Sequence, residues 1–120
     1  MVKTETPDPV RKLLPLSPAV FYILFALAEG EKHGYAIMKE AETVAGGQFT
    51  MGPGTLYTTI QRLLELGLIE ETSTSSDSER RRRYYRLSRS GRQVFEAELN
   101  RMESLMRSAQ RRKLVLRDGH

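Results

Sequence analysis

The chain has 120 residues, no cysteine and a formal net charge of +4, from 19 lysine and arginine residues against 15 aspartate and glutamate residues. This length predicts one domain with an appended helix, and the lack of cysteine excludes disulfides and thiolate metal sites. The longest apolar run, residues 19–28, is shorter than the roughly 20 residues that span a bilayer, and the start of the chain lacks the apolar run of a secretory signal. We therefore expect a cytoplasmic protein whose basic excess favours an acidic partner such as nucleic acid.

The first part of the chain predicts a flexible arm followed by an apolar helix. Residues 1–13 are polar, charged and interrupted by prolines, which is typical of such an arm. Ser17-Pro18 marks a helix start, because serine caps free N–H groups and proline fits the first helical position. The helix predicted over 18–29 is apolar on nearly every side. In so short a chain, we expect one side to meet the core and the other to meet a partner subunit.

The second predicted helix follows a turn at residues 29–32. It is expected over 34–45, where apolar residues recur on one face, and Gly46-Gly47 ends it. The histidine at its start, His33, is interpreted as a capping or packing residue, with a metal ligand or a catalytic base as the weaker alternative.

The third helix, predicted over 53–66, has a polar face opposite its apolar one. The polar face consists of Thr58, Gln61, Arg62 and Glu65, with Thr55 and Tyr57 towards its edges. An α-helix fits the major groove of B-DNA, where glutamine can pair with adenine and threonine can contact several bases. For Tyr57, packing and contact with a DNA phosphate are equally open.

Two short strands after this helix predict a β-ribbon, with residues 68–72 and 82–87 joined by a polar tip at 73–81. Four consecutive arginines, 80–83, lead into the second strand. Guanidinium groups on such a ribbon can bind phosphates or enter the minor groove, and a merely solvated charged strand is the alternative. The order of helix, turn, helix and ribbon favours DNA binding.

The last helix is expected to start near residues 88–90, where Ser90 and Gln93 would form a reciprocal capping box, and to cover 89–113. Its apolar residues are spaced four, three, four and three apart, which is typical of a coiled-coil seam. The seam consists of Phe95, Leu99, Met102, Met106 and Ala109. Because it extends beyond the core of so small a domain, we expect it to contact a second copy, with residues 114–120 as a frayed tail.

Several of these segments together resemble the PadR-like family of transcriptional regulators. The matching segments are His33-Gly34-Tyr35-Ala36-Ile37, Gly54-Thr55-Leu56-Tyr57, Leu63 to Ile69, and Arg83 to Ser88 with Gly91. The resemblance implies a mainly α fold with a small β-wing: a winged helix-turn-helix domain over 14–88 plus a C-terminal dimerisation helix, as in the smaller branch with a short last helix. Two positions depart from the family pattern, since Gly52 stands where a serine helix cap is common and Thr58 where proline is common.

The resemblance and the residue patterns together predict a repressor that binds an inverted-repeat operator in double-stranded DNA as a homodimer. The DNA-binding candidates are Tyr35, Gly54, Thr55, Tyr57, Thr58, Gln61, Arg62, Arg80, Arg81, Arg82 and Arg83. The dimer-interface candidates are Phe21, Leu24, Phe95, Leu99, Met102, Met106 and Ala109. The resemblance also implies a small aromatic or drug-like effector, whose cleft would be formed by Phe21, Phe25, Phe95 and Leu99, and a regulator without a ligand is equally open. No cofactor or metal is expected.

Three other functions are weaker interpretations. A winged-helix module that binds another protein is the first alternative, since fold alone does not fix function, but the polar outer face of the third helix argues against it. An enzyme is disfavoured because no catalytic motif stands out in the sequence. A membrane-surface role rests only on the basic tail.

Overall fold

The computed structural model describes residues 8–72 and 83–115, and it has the winged-helix fold that the sequence predicts. The helices are α1 (Asp8–Arg11), α2 (Pro18–Ala28), α3 (Gly34–Val44), α4 (Pro53–Glu65) and α5 (Arg89–Arg111). The strands are β1 (Lys32–His33), β2 (Ile69–Thr72) and β3 (Tyr84–Leu87), which form an antiparallel sheet in the order β1-β3-β2. We call the β2 and β3 strands the wing.

The first two long helices begin at residues whose side chains cap them. Ser17 Oγ accepts a hydrogen bond from the Val20 N–H at 3.3 Å, as expected of a serine before a proline-initiated helix. His33 Nδ1 accepts from the Ala36 N–H at 3.3 Å, and its ring meets the Tyr84 ring edge-on with centroids 5.5 Å apart. The capping and packing interpretation of His33 is therefore confirmed.

The sequence pattern does not predict β1, whose two residues lie at the end of the expected turn. Lys32 and His33 pair with Tyr85 and Tyr84 of β3, so the sheet has three strands rather than two. The Lys32 ammonium also donates to the carbonyl of Ala26 at 2.7 Å, which satisfies a free acceptor at the end of α2. A two-residue strand is too short to show an alternating pattern, and its pairing partner lies far along the chain.

The central helix is α2, which contacts α3, α4, α5 and β3. Leu24 on this helix is 0% exposed in the single chain, so the prediction that it lies at a dimer interface is wrong. The physical reason is that a helix apolar on all sides gives no sign of which side faces its own core. The buried apolar side chains are Val10, Ile23, Leu24, Ala26, Leu27, Ile37, Ala41, Met51, Leu56, Ile60, Leu63, Leu68, Ile69, Tyr85, Val94 and Phe95.

The segment before α2 packs against the last helix instead of forming an arm. Val10 of α1 is buried, and α1 contacts α5. The backbone N–H of Leu16 donates to a carboxylate oxygen of Glu98 at 3.0 Å. The flexible-arm prediction is therefore wrong for residues 8–13, while residues 1–7 lie outside the described residues.

Glu98 is a buried carboxylate with a complete set of partners. Its side chain is 1% exposed, and it accepts from Arg101 Nε at 2.6 Å and Arg101 Nη2 at 3.1 Å as well as from Leu16. The hydrogen bond from Arg101 holds the pKa of Glu98 below its ordinary value of 4.5, although burial acts in the opposite direction. Glu98 thereby ties the start of the chain to α5.

The last helix starts at Arg89, two residues earlier than the predicted capping box with Ser90 as the cap requires. Ser88 is the cap: its Oγ accepts from the Gly91 N–H at 3.0 Å and donates to the Gly67 carbonyl at 2.6 Å. The prediction that Ser90 and Gln93 form the box is wrong because Ser90 is already helical. Gly91 is buried against Leu68, the residue before β2, and an added Cβ would collide with the backbone carbonyl of Leu68.

No helix within residues 8–72 and 83–115 combines the length and the apolar character that a membrane span requires.

Candidate nucleic-acid interface

Helix α4 separates its side chains into a core face and an outward face. Leu56, Ile60 and Leu63 are buried. The predicted polar residues point the other way: Thr55, Tyr57, Thr58, Gln61 and Arg62 are all exposed. The predicted orientation of this helix is therefore confirmed, because the 3.6-residue period alone decides which positions share a face.

The outward face contains an open depression of about 540 Å³. It is lined by Tyr57, Thr58, Gln61, Arg62 and Glu65. The Gln61 amide donates to the Glu65 carboxylate at 3.4 Å, one turn further along the helix. The lining thus offers hydroxyl, amide and guanidinium groups, which are the groups that contact base edges and phosphates.

The start of α4 is open to an approaching anion. Gly52 caps the helix without a side-chain hydrogen bond, Pro53 follows at the first helical position, and Gly54 is exposed with no atom within 4 Å of an added Cβ. Backbone N–H groups in the first turn of a helix lack internal partners and favour negative charge. The start of α4 is therefore suited to a phosphate, although Gly52 supplies no hydroxyl.

The start of α3 lies against α4. Gly34 is buried, and an added Cβ there would meet the Tyr57 hydroxyl, with Tyr57 Cζ at 2.9 Å and Cε1 at 3.0 Å. The neighbouring Tyr35 is 60% exposed, and its ring centroid lies 5.9 Å from the Lys39 ammonium. The two tyrosines thus differ, since Tyr35 projects into solvent and Tyr57 also packs against α3.

Two ion pairs join arginine and glutamate side chains at the wing, and one of them includes Arg83, the residue before β3. Arg83 Nε lies 3.6 Å from Glu71 Oε2, and Arg86 Nε lies 3.0 Å from Glu70 Oε1, with both arginines well exposed. Arg86 is absent from the predicted DNA-binding residues. Alternation along β3 nevertheless places its side chain on the exposed face of the strand, because the preceding Tyr85 is buried on the other face. Arg80, Arg81 and Arg82 lie outside the described residues.

Tyr85 anchors the wing to the domain. Burial raises the pKa of its hydroxyl above the usual 10.0, Glu71 and Tyr57 raise it further, and Arg83 lowers it. Tyr85 therefore lies within electrostatic reach of both the wing charges and Tyr57 of α4.

A comparison with known protein families identifies the family of this chain. The model of the transcriptional regulator PadR-like family matches residues 23–97, well over half of the chain. The chain belongs to this family.

Three similar proteins differ in how much of their own length this chain covers. An uncharacterised 37.1 kDa protein in transposon Tn4556 of Streptomyces fradiae is 36% identical over 87 residues, which are 72% of this chain, and the chain spans only 24% of that relative's length. The structure of Bacillus subtilis PadR in complex with operator DNA is 25% identical with a TM-score of 0.63, over 71% of this chain and 47% of that one. A PadR family regulator from Clostridium difficile is 23% identical with a TM-score of 0.66, over 79% of this chain and 97% of that one, which shows a shared fold.

The family is one of transcriptional regulators, and the family prediction is confirmed. Which side chains of this PadR-like chain touch DNA stays a prediction. The structure brings Thr55, Tyr57, Thr58, Gln61 and Arg62 together on one face of the regulator.

The apolar face predicted for dimerisation lies on the outer half of α5. Leu99, Met102 and Met106 of this PadR-like regulator are 38%, 37% and 51% exposed, and Ala109 is half-buried. Leu105, which the predicted seam omits, is more exposed still at 58%. Phe95, by contrast, is buried in the core of its own chain.

The residues of the predicted ligand cleft form an aromatic cluster. The ring centroid of Phe95 lies 5.4 Å from that of Phe25 and 5.9 Å from that of Phe21, and the Phe21 and Phe25 centroids are 5.9 Å apart. The rings therefore pack against one another within the chain, with Leu99 exposed beside them on α5. Whether an effector enters this cluster is untested and stays a prediction.

Proposed function

We propose that this regulator binds an inverted-repeat operator as a homodimer and represses transcription there. The observation that carries the proposal is that the polar face of α4 is exposed and that Arg83 and Arg86 are exposed as well. Such an arrangement supports base reading by α4 in the major groove and backbone contact by the wing. The structure of Bacillus subtilis PadR in complex with operator DNA, at 25% identity, supports an operator as the binding partner.

The first test is the selection of binding sites from a pool of random duplexes, followed by titration of the selected site. A dimer should select an inverted repeat whose half-site centres are about one or two helical turns apart. Binding should weaken steeply with salt, because each phosphate contact releases counterions. A protein that forms no salt-sensitive, sequence-selective complex would instead be a winged-helix module for protein partners.

Two substitutions separate base reading from backbone contact. Arg83→Ala should reduce the slope of log affinity against log salt by about 1 while leaving sequence preference intact. Arg107→Ala is the matched control, because this exposed arginine pairs with Glu103 on α5 at 3.0 Å and lies outside the proposed interface. Gln61→Ala should relax preference at one base pair, by about 1–3 kcal/mol.

The homodimer part of the proposal rests on the exposed apolar face of α5. Leu99, Met102, Leu105 and Met106 present contiguous apolar surface at helical spacing, which a second copy of α5 would cover. Met106→Glu should therefore yield a monomer by sedimentation equilibrium and weaken operator binding, whereas Ser104→Glu on the same helix should leave the dimer intact. Equal behaviour of the two variants would refute this interface.

Repression and effector release need their own measurements. The regulator should reduce expression of a reporter placed downstream of the selected operator. Increased expression would show an activator and would contradict the proposed repression. An effector that releases DNA must bind the DNA-free form more tightly. A compound in the aromatic cluster should therefore raise the melting temperature and lower operator affinity together, and the effector proposal fails if no aromatic compound screened does both.

A further inference from the structure

Gly34 provides a specific space for the Tyr57 ring, which we call the Gly34 seat. Gly34 is the first residue of α3, and the end of the Tyr57 ring lies where any side chain at position 34 would lie. A Cβ at this position would have Tyr57 Cζ at 2.9 Å and Cε1 at 3.0 Å, both closer than ordinary van der Waals contact. The absence of a side chain at Gly34 is therefore what permits this contact between α3 and α4.

Tyr57 is also part of the outward face of α4. Its side chain is 50% exposed and lines the depression together with Thr58 and Gln61. One aromatic side chain thus belongs both to the contact between α3 and α4 and to the outward face of α4.

We propose that the Gly34 seat determines operator specificity by holding the Tyr57 ring beside α3, away from the base-reading side chains of α4. Tyr57 is then a positioning residue and not a base reader. The proposal rests on the proposed function of α4 as the helix that enters the major groove. Of the two interpretations of Tyr57, the proposal favours packing over contact with a DNA phosphate.

The expected consequence of filling the seat follows from the exposure of Tyr57. Since half of its side chain already faces solvent, an added methyl at position 34 would turn the ring out of its seat without unfolding the core. The displaced ring would then lie over the depression where Thr58 and Gln61 meet the DNA. Misplacement at a recognition surface weakens the specific complex far more than the electrostatic, non-specific one.

The test is a double-mutant cycle with Gly34→Ala, Tyr57→Leu and the double variant. Affinities for the selected operator and for an unrelated duplex are measured by fluorescence anisotropy, and folding is followed by thermal unfolding. Gly34→Ala should weaken operator binding roughly tenfold, an effect within the range of coupling between contacting residues, and should change binding to the unrelated duplex less than twofold. In the Tyr57→Leu background, the same alanine should change operator affinity less than twofold, because there is no ring end to displace.

The other possible results also decide the question. Equal losses of operator affinity from Gly34→Ala in the parent and in the Tyr57→Leu background, or no loss in either, would overturn the proposal. A loss from Tyr57→Leu alone that matches or exceeds that of Gly34→Ala would show that Tyr57 contacts DNA directly. If Gly34→Ala does not fold, recovery of folding in the double variant supports the seat, and failure of both variants to fold contradicts it.

The cycle also separates this inference from the proposed function. A parent protein that binds no duplex selectively overturns the proposed function, and the specificity role falls with it. A parent that binds selectively while the two substitutions act additively overturns the Gly34 seat alone.

Discussion

Replacing the buried carboxylate of Glu98 by an amide should weaken the attachment of the start of the chain to α5. Glu98→Gln removes the negative charge that pairs with Arg101 but keeps one oxygen that can accept from the Leu16 N–H. Hydrogen bonds to charged groups contribute about 1.5–3 kcal/mol each, and breaking a fully buried pair costs about 3–5 kcal/mol. Because the Arg101 side chain is 35% exposed, water can replace some of the hydrogen bonds that its guanidinium loses when Glu98 is substituted.

We therefore expect Glu98→Gln to lower the free energy of unfolding by about 2–3 kcal/mol, below the range for a fully buried pair. For a chain of this length, that change corresponds to a fall in melting temperature of about 8–12 °C. The matched control is Glu103→Gln, which removes an exposed pair with Arg107 on the same helix. An exposed pair at this spacing contributes less than about 0.5 kcal/mol.

The pH dependence of this effect has a definite sign. Arg101 lowers the pKa of Glu98 in the folded state below the ordinary value of 4.5, so the unfolded chain takes up the proton first as the pH falls. The stability from this carboxylate is therefore fully present above about pH 4.5 and is lost as the pH falls through the lower folded-state pKa. The difference in the free energy of unfolding between the parent and Glu98→Gln should accordingly be constant near neutral pH and should become smaller in acid.

The assay is urea unfolding at one fixed protein concentration, since dimerisation would make apparent stability depend on concentration. Parent, Glu98→Gln and Glu103→Gln are compared at pH 7 and at several values below 4.5. If Glu98→Gln matched Glu103→Gln within experimental error at pH 7, the structural role assigned to Glu98 would be refuted.

Three further predictions concern the start of α4, the ion pair between Glu71 and Arg83, and the packing of Gly91. Gly52→Ser should stabilise α4 by a few tenths of a kcal/mol over the parent and by about 1 kcal/mol over Gly52→Ala, because only serine caps the helix; urea unfolding checks the order, and a serine variant no more stable than the alanine variant contradicts it. Glu71→Gln should raise affinity for an unrelated duplex roughly threefold at low salt, the equivalent of one exposed ion pair, by freeing Arg83 for phosphate; anisotropy measures this, and unchanged affinity argues against the wing contact. Gly91→Ala should cost about 2–3 kcal/mol because its methyl collides with a backbone carbonyl, whereas Gly54→Ala, also in the first turn of a helix but facing open space, should not destabilise; similar melting temperatures would contradict the packing argument.

The helix proposed for recognition, α4, could be predicted because its signals are local. The predicted span 53–66 differs from the observed α4 by one residue, and the polar residues lie on the side that the period assigns to them. A proline at the helix start and apolar residues three and four apart are contained in a short stretch of sequence. The orientation of Thr58 and Gln61 therefore follows without knowledge of the rest of the fold.

Other features depend on partners that are distant in the sequence. The strand β1 exists because Lys32 and His33 pair with Tyr85 and Tyr84, more than fifty residues away. Ser88 and Ser90 are both reasonable caps, and Ser88 is selected together with its hydrogen bond to Gly67. No periodicity within a single segment reveals such choices.

The sequence by itself determined the family, the order of the elements and the outward face of α4, because caps and hydrophobic periods act within a few residues. Only the tertiary structure decided that Leu24 is core, that α1 and Leu16 contact α5 and that Glu98 is buried. It also decided that the Tyr57 ring rests on Gly34. Each of these depends on which surfaces meet, and burial is a property of the assembled chain and not of any segment within it.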